Sequence, residues 1–503
     1  MNARVPEFAL NDVEALSQVS RRWDEVIVPE LTDYITIPAK SPSFDPDWAR
    51  HGHIDTVMRN AAAWVESQKI EGLTLEVIRL PDRTPVLFFE VAAANGKTGE
   101  KPSGQTVLMY GHLDKQPEFN GWRNDLGPWT PKYEDGKLYG RGGADDGYAV
   151  YASIAAIQAL KEQGVAHPRI VGLVETCEES GSGDLLPYVH ALRAPMPGRP
   201  NGRMGDVSLV ICLDSGAGNY DQLWLTSSLR GMASGVLKVE VLTEGVHSGD
   251  ASGLVPSSFR IMRQVLDRLE DSATGRLLPP RFHCEVPPDR LAQAKATAAI
   301  LGDEVYKRFP WAHYDCGGST AFALPTTTDP VQALLNRTWT PTLSVTGAEG
   351  FPELQNAGNV LRPYTAFKLS LRLPPLVDAG EAVQALKTLL EDNAPYQAKV
   401  TFASGGGATG WNAPSTAPWF EQALNQASQA HFGADCGYIG QGGTIPLMSM
   451  LSKGFPTAQM MVCGVLGPRS NAHGPNEFLH VPYAKKLTAA VAHVIARLPA
   501  ESV

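Results

Sequence analysis

Acidic and imidazole side chains recur at even intervals in the first half of the chain. His112 follows an apolar run, and Asp145, Glu179 and Asp214 come after it at successive intervals of 33, 34 and 35 residues. Each interval is about the length of one βαβ unit. If these units form one sheet, the side chains meet along one of its edges. Because imidazoles and carboxylates are common zinc ligands, the spacing predicts a metal centre there.

A fifth candidate ligand, His473, lies near the C-terminal end of the chain. Five protein ligands exceed the three that one catalytic zinc ion takes together with water. Two ions that share Asp145 would have three each: His112, Asp145 and Asp214 for one, and Asp145, Glu179 and His473 for the other. Such a pair lowers the pKa of a shared water toward about 7. We therefore predict two Zn2+ per subunit, with Mn2+ or Co2+ compatible with the same ligands.

Two further carboxylates accompany these ligands. Glu178 stands beside Glu179 but is not needed as a ligand, which predicts a general base that moves a proton. Asp114 follows His112 by two residues and can accept the other ring N–H, fixing the tautomer. Taken singly, these residues are also explained as a loop histidine, a helix-capping aspartate or solvated glutamates. Their recurrence at one edge of the fold favours the metal centre.

The elements that must position these residues are short apolar runs rich in Val, Ile and Leu, which predict buried strands. They are Val86–Val91, Thr106–Tyr110, Ile170–Val174 and Val207–Leu213. Helical patterns lie between them, as at Gly147–Gln163. This alternation predicts an α/β catalytic domain with a mixed, mostly parallel sheet. Open α/β sheets bind ligands at the carboxyl ends of their strands.

The pattern changes after residue 229. Half-buried strands and helices follow in the order βαββαβ, interrupted by a block from about Asp271 to Arg337. The α/β character returns after the glycine run 405–407. We therefore predict a catalytic domain built from residues 1–229 and 409–503. The inserted βαββαβ, ferredoxin-like domain would span residues 230–408.

Composition narrows the range of partners. The 503 residues carry 53 acidic and 43 basic side chains, a formal charge of -10 at pH 7. This balance argues against nucleic acid or an anionic membrane as a partner, since both need clustered Lys and Arg. No run approaches the 18 apolar residues of a membrane span, and the first residues lack the features of a signal peptide. The six cysteines form no CxxC pair. Together these features predict a cytoplasmic protein.

In combination and in order, the motifs around these residues resemble those of the M20 metallopeptidases. The matching stretches are Gly111–Asp114, Gly140–Gly147, Glu178–Ser182 and Asn471–Glu477. The long block inside the inserted domain is most similar to the carnosinase-like branch, the cytosolic non-specific dipeptidases. The resemblance implies a two-zinc α/β domain interrupted by a βαββαβ lid or dimerisation domain. It also implies a hydrolase that cleaves the amide bond of dipeptides or short peptides with a free C-terminal carboxylate.

The resemblance also implies roles for residues of the inserted domain. His247 would reach the active site of the partner subunit and stabilise the oxyanion, so a homodimer formed through this domain is expected. Arg372 would bind the substrate carboxylate. Asn359, Gly443 and Thr444 would make further substrate contacts. The small peptide substrate would be the other partner.

The chain departs from the family pattern at two places near Asp145. Gly143-Ala144 stands where small hydroxyl residues are common, and Tyr148 stands where Lys is frequent. Neither change removes a ligand. An N-acyl-amino-acid deacylase of the same fold is an alternative function. A non-catalytic metal-binding protein is a more distant one, disfavoured by Glu178 beside five intact ligands.

Overall fold

The computed structural model describes residues 10–97, 99–316, 319–443 and 446–499. The chain divides into two compact units. The first takes in the described residues of Met1–Thr226, Ala413–Ile439 and Met450–Val503, and the second those of Ser227–Asn412 and Gly440–Ser449. The second unit is thus inserted into the first in the chain, as the sequence predicted. The domain boundaries after residues 229 and 408 stay predictions.

A six-stranded sheet belongs to the first unit and a four-stranded sheet to the second. In chain order their strands are β1 (Leu73–Ile78), β2 (Val86–Val91), β3 (Thr106–His112), β4 (Arg169–Glu175), β5 (Val207–Cys212), β6 (Gly231–Glu240), β7 (Thr342–Glu349), β8 (Tyr364–Leu373), β9 (Lys399–Ala408) and β10 (Gln459–Val462). The strands outside these two sheets lie at Lys132–Glu134, Lys137–Tyr139, Trp224–Leu229, Val246–His247, His313–Cys316, Ser319–Phe322, Val360–Leu361, Trp411–Asn412, Gly437–Gln441 and Phe478–His480.

The longer α-helices are α1 (Asp12–Arg22), α2 (Val28–Thr36), α3 (His53–Ser67), α4 (Tyr148–Gln163), α5 (Leu185–Arg193), α6 (Ser258–Leu266), α7 (Pro288–Leu301), α8 (Pro330–Thr338), α9 (Ala379–Glu391), α10 (Pro418–Phe432), α11 (Pro446–Gly454) and α12 (Val481–Ala496). Single helical turns lie at Trp23–Ile27, Trp48–His51, Gly143–Gly147, Glu178–Ser180, Ser248–Ala251, Pro280–Phe282, Glu304–Lys307, Leu354–Asn356 and Pro395–Gln397. Within the described ranges, no helix is both long enough and apolar enough to cross a membrane.

The six-stranded sheet has the order β1-β2-β4-β3-β5-β10. Strands β4, β3, β5 and β10 pair in parallel, whereas β1 and β2 join antiparallel at one side. The sheet is therefore mixed and mostly parallel, as predicted. All of β3 is buried, which accounts for its continuous apolar composition. Its last residue is His112, and β4 and β5 end beside it, at Glu175 and Cys212.

The four-stranded sheet has the order β7-β8-β6-β9, with every neighbouring pair antiparallel. Along the chain its elements run β6-α6-β7-β8-α9-β9, which is the predicted βαββαβ module. Its core joins Leu237 and Leu371 of the sheet to Ile261 of α6 and Leu386 of α9. Helices α7 and α8 belong to the block that interrupts the module after α6.

Candidate metal centre

The end of β3 places His112 against two carboxylates. Its Nε2 lies 3.5 Å from Asp145 Oδ1 and 3.8 Å from Asp214 Oδ2, and the ring is buried. Nδ1 donates to the backbone carbonyl of Asp114 at 3.1 Å. In the neutral ring Nε2 then carries the lone pair, and this buried atom has no hydrogen-bond partner. A lone pair facing two carboxylates is unfavourable unless a cation lies between them, so these residues fit a metal ion.

Asp145 faces a second group of ligands with its other oxygen. Asp145 Oδ2 lies 3.0 Å from His473 Nε2, which is 3.4 Å from Glu179 Oε2. In each of the two groups the candidate ligand atoms lie within 4.8 Å of one another. The structure therefore brings all five predicted ligands together in the first unit, and Asp145 belongs to both groups. Such sharing is what a pair of neighbouring metal ions requires.

The segments around Asp145 and Asp214 are fixed by close packing. Gly142, at φ +83°, precedes Asp145, and a Cβ there would meet the buried Lys115 side chain at 2.7 Å. The peptide bond from Asp145 to the next residue is cis. Helix α4 follows at Tyr148, whose buried hydroxyl donates to the carbonyl of Leu213 at 2.5 Å. Tyr148, which stands where the family frequently has Lys, therefore holds Leu213, the residue that precedes Asp214.

Asp114 holds the turn that carries the paired glutamates. Its buried carboxylate accepts the backbone N–H of Glu178 at 3.2 Å and that of Glu179 at 3.0 Å. The same carboxylate lies 3.4 Å from Nδ1 of His112. One side chain therefore positions two neighbouring ligands and the predicted base together. The sequence predicted a contact of Asp114 with His112 alone, so the contacts to Glu178 and Glu179 are additional.

The centre concentrates negative charge in a buried place. Burial raises the pKa of Glu178 to about 7, and the charges of Asp114 and Asp145 add to the shift. Burial also raises the pKa of Asp214 well above its ordinary value. Burial opposes ionisation of His473, but its hydrogen bond to Asp145 raises the pKa of that imidazole to about 9. Carboxylates that resist joint ionisation are stabilised when cations bind among them.

Sequence reasoning missed a buried ion pair behind His473. Arg141 Nη1 donates to Glu477 Oε2 at 2.5 Å, and both side chains are at most 1% exposed. Arg141 Nη2 donates to the backbone carbonyls of His473 and Gly474, while Glu477 Oε1 accepts the N–H of Gly142. The pair thus ties the His473 loop to the glycine segment before Asp145. Both residues lie in motifs quoted for the family, and this was the one indication in the sequence that they contribute to the site.

A second missed residue, Gln116, contacts a predicted ligand directly. Its Nε2 donates to Glu179 Oε2 at 2.5 Å. Gln116 lies two residues beyond Asp114, on the segment that follows β3. The segment after β3 therefore supports the Glu178–Glu179 turn at two points. Outer contacts of this kind commonly set the orientation of metal ligands.

The second unit brings His247 and Asn359 together. The strands Val246–His247 and Val360–Leu361 pair antiparallel, and the carbonyl of Asn359 accepts the N–H of Ser248 at 2.9 Å. The His247 side chain is exposed, and its Nδ1 accepts the N–H of Gly249 at 3.1 Å. In the neutral ring the proton is then on Nε2, which can donate. The oxyanion contact stays a prediction, and Nε2 is the atom that would make it.

Arg372 lies in the same unit near an arginine that the sequence did not single out. Arg372 is half-buried on β8, in register with Thr342 of β7. Arg230 donates to Thr342 Oγ1 at 3.2 Å and to the carbonyl of Gly442 at 3.3 Å. Burial lowers the pKa of Arg230 to about 10, with the charge of Arg372 adding to the shift. Gly443 is exposed, and the predicted contact residue Thr444 lies outside the described residues.

Comparison with known proteins places the chain in a family. The sequence matches Peptidase family M20/M25/M40 over residues 108–497. It is 30% identical over 474 residues to the cysteinylglycine-S-conjugate dipeptidase of Corynebacterium striatum, covering 92% of this chain and 94% of that protein. It is 26% identical over 464 residues to the Beta-Ala-His dipeptidase of Homo sapiens, covering 88% of this chain and 84% of that protein.

A solved structure shares the fold. The di-peptidase Dug1p from Saccharomyces cerevisiae aligns with a TM-score of 0.75 at 21% identity, covering 97% of this chain and 99% of that one. These findings confirm the predicted resemblance, including its carnosinase-like branch. The chain therefore belongs to Peptidase family M20/M25/M40 and is a metallopeptidase.

Proposed function

We propose that this chain is a two-zinc dipeptidase that cleaves the amide bond of dipeptides or short peptides with a free C-terminal carboxylate. The observation that carries the proposal is the pair of carboxylate–imidazole groups that share Asp145. The names of the relatives agree with it, since one is a cysteinylglycine-S-conjugate dipeptidase and another a Beta-Ala-His dipeptidase.

The chain's own residues divide the chemistry between them. His112, Asp145 and Asp214 would hold one metal ion, and Asp145, Glu179 and His473 the other. When bound, the ions act as Lewis acids and lower the pKa of water. Glu178 takes the proton from the attacking water and delivers it to the leaving amine. Burial raises the pKa of Glu178 above that of an ordinary glutamate, in the direction of the working pH, where a general base is most useful.

Zinc is the metal we propose. Two imidazoles and three carboxylates form a donor set in which zinc is common, and Mn2+ or Co2+ can occupy the same positions. Metal analysis of the protein purified without added metal distinguishes these ions.

The second unit would supply the contacts to the substrate. Arg372 would bind the C-terminal carboxylate, because a guanidinium matches a carboxylate in geometry and charge. Arg230 adds positive charge near Arg372 and holds the glycine segment before Gly443. Asn359, Gly443 and Thr444 would line the rest of the substrate site.

His247 would act on the partner subunit. Its Nε2–H would donate to the oxyanion that forms on the substrate, a kind of contact that stabilises the transition state. The proposal therefore includes a homodimer formed through the second unit, without nucleic acid or membrane partners. Sedimentation of the fully active enzyme as a monomer would contradict it.

A cytoplasmic location is also proposed. Cys177, Cys212, Cys436 and Cys463 are buried free thiols. Such thiols fit a reducing compartment. Fractionation of cells that produce the chain tests this location.

The substrate class is tested with a kinetic panel. Dipeptides with a free carboxylate should be cleaved at least about 100-fold better, in kcat/KM, than the same dipeptides amidated at the C-terminus, because the amide cannot pair with Arg372. Acetylated and succinylated amino acids should be poor substrates. Preference for these acyl compounds would instead favour the deacylase alternative.

A further inference from the structure

A third group of metal-binding side chains lies in the first unit, built from residues that the candidate metal centre does not use. Asp12 is the first residue of α1, His431 lies in the last turn of α10, and His493 in the last turn of α12. Their ligand atoms lie within 4.8 Å of one another. We call these three residues the Asp12 cluster.

One of its two imidazole–carboxylate distances falls within the range found in the candidate metal centre, and the other is shorter. Asp12 Oδ1 lies 2.7 Å from His493 Nδ1 and 3.5 Å from His431 Nε2. In the metal centre the corresponding imidazole–carboxylate distances run from 3.0 to 3.8 Å. Tetrahedral zinc with bonds of about 2.0–2.2 Å separates its ligand atoms by roughly 3.3–3.5 Å. Small rotations of the His493 and Asp12 side chains would bring the cluster to that geometry.

The imidazoles of the cluster are buried and incompletely hydrogen-bonded. The His431 side chain is 1% exposed, and neither of its ring nitrogens has a hydrogen-bond partner. The His493 side chain is 2% exposed. Buried polar atoms are usually paired, because losing water without a replacement contact is costly. A cation bound to Nε2 of His431 provides that contact.

Two of the three helices that carry the cluster also favour a cation. His431 and His493 lie in the last turns of their helices, where carbonyl groups point outward without intrahelical partners. Helix C-termini carry partial negative charge and attract cations. The Asp12 side chain is 24% exposed, so water can reach the cluster from its side and complete a coordination shell. Two imidazoles and one carboxylate form a donor set common for Zn2+.

We propose that Asp12, His431 and His493 bind a divalent transition-metal ion, with Zn2+ as the best fit, which fastens α1 to α10 and α12. The role is structural. It goes beyond the proposed peptidase function and does not depend on it. The ion would connect the N-terminal helix to two helices formed by the last hundred residues of the chain.

The test measures metal binding by the full-length chain. Protein stripped with a chelator is reloaded with Zn2+, desalted and analysed by mass spectrometry for zinc per chain. Wild type should hold about three ions, and Asp12→Asn and His493→Gln about two. Both variants should keep their hydrolytic rates within about twofold, because they leave the candidate metal centre intact. Their folding is checked by circular dichroism.

A matched control and a second background separate this site from the other two. His167 is also buried with an unpartnered Nε2, but belongs to none of the metal-ligating groups found in the described residues. His167→Gln should therefore keep about three ions. In an Asp145→Ala background, which removes the shared ligand, about one ion should remain. Co2+ added to that background should give a visible absorption band that His493→Gln abolishes.

The outcomes are decisive in both directions. Loss of about one ion in Asp12→Asn and His493→Gln, whatever the occupancy of the other two sites, supports the proposal. Equal zinc content in wild type and both variants overturns the proposal. An Asp145→Ala protein that binds no Zn2+, or that shows no Co2+ absorption band, also overturns it. In those cases the cluster is only a metal-free group of one aspartate and two histidines. Neither result decides whether the chain is a dipeptidase.

Discussion

Glu477→Gln is the substitution that most directly probes how the metal ligands are held. Glutamine keeps the shape of Glu477 and can still accept the N–H of Gly142, but it carries no charge. Arg141 is then left with a buried, unpaired guanidinium. Through its contacts to the carbonyls of His473 and Gly474, the disturbance reaches a predicted metal ligand.

The structure sets the size of the effect. Both side chains are at most 1% exposed. Removing one partner of such a buried pair costs about 3–5 kcal/mol. Altering a residue that orients a metal ligand typically weakens metal binding about 10–100-fold. We therefore expect a large loss of unfolding free energy together with weaker zinc binding at the site that contains His473.

Two measurements separate these effects. Urea unfolding of the metal-free protein gives the stability change, and competition with a chromophoric chelator gives zinc affinity. Adding Arg141→Met to Glu477→Gln should recover part of the unfolding free energy, because the unpaired charge is gone. It should not recover the zinc affinity, since the contacts of Arg141 to the His473 loop are lost as well. A recovery of stability without a recovery of zinc affinity distinguishes the cost of the buried unpaired charge from the loss of contacts that position His473.

Glu134→Gln is the matched control. Glu134 pairs with Arg123 at 2.7 Å, but both side chains are more than a third exposed, at 35% and 44%. Exposed pairs contribute little to stability, because solvent screens the two charges. Zinc affinity should not change in this variant. The reasoning is refuted if Glu477→Gln behaves like Glu134→Gln in both measurements.

Four further outcomes are expected. Glu178→Gln should lower kcat by orders of magnitude while metal content stays unchanged, as measured by steady-state kinetics and metal analysis; near-normal turnover would reject the assigned base. Burial raises the pKa of Glu175 to about 8. Since this exceeds the unfolded value, stability is lost as the pH rises from about 4.5 to 8. In urea unfolding of the metal-free protein, Glu175→Gln should match wild type within about 1 kcal/mol at pH 5 and be roughly 2–4 kcal/mol more stable at pH 9; a constant difference would contradict the shift. Arg230→Gln should raise KM about tenfold or more with a smaller change in kcat, and an unchanged KM would remove Arg230 from the substrate site. Mixing inactive His247→Ala and Glu178→Gln dimers under exchange conditions should restore about a quarter of wild-type activity, because half of the dimers then contain one complete site; no recovery would exclude action across the dimer.

Much of the fold was predictable because its signals are local. Buried parallel strands are continuously apolar, so β2 and the cores of β3, β4 and β5 could be read from short stretches of sequence. The alternating pattern of β6 likewise indicated a sheet with one exposed face, and the βαββαβ order followed. Strand ends were less certain. The strand ending in His112 is longer than the apolar run suggested, because pairing with β4 continues to the ligand itself.

The five candidate ligands were also predictable, since three follow or end strands of one sheet and the quoted family motifs contain four of them, all but Asp214. The ion pair of Arg141 and Glu477 was not, because 336 residues separate its members and the motifs that contain them do not indicate that they pair. The same holds for the Asp12 cluster. Its residues lie at the ends of three helices that come together only through packing. Sequence periodicity reports which face of a helix is buried, but not which helix packs against it.

The central claim is that two metal ions bind between the five ligands and share Asp145. Anomalous diffraction from crystals of the zinc-loaded enzyme, recorded at the zinc absorption edge, tests it most directly. At the five ligands the account predicts two peaks roughly 3.5–4 Å apart, separate from the peak expected at the Asp12 cluster. One should lie between His112, Asp145 and Asp214, and the other between Asp145, Glu179 and His473. A single peak between the five ligands, or zinc bound among them without Asp145, would contradict the account.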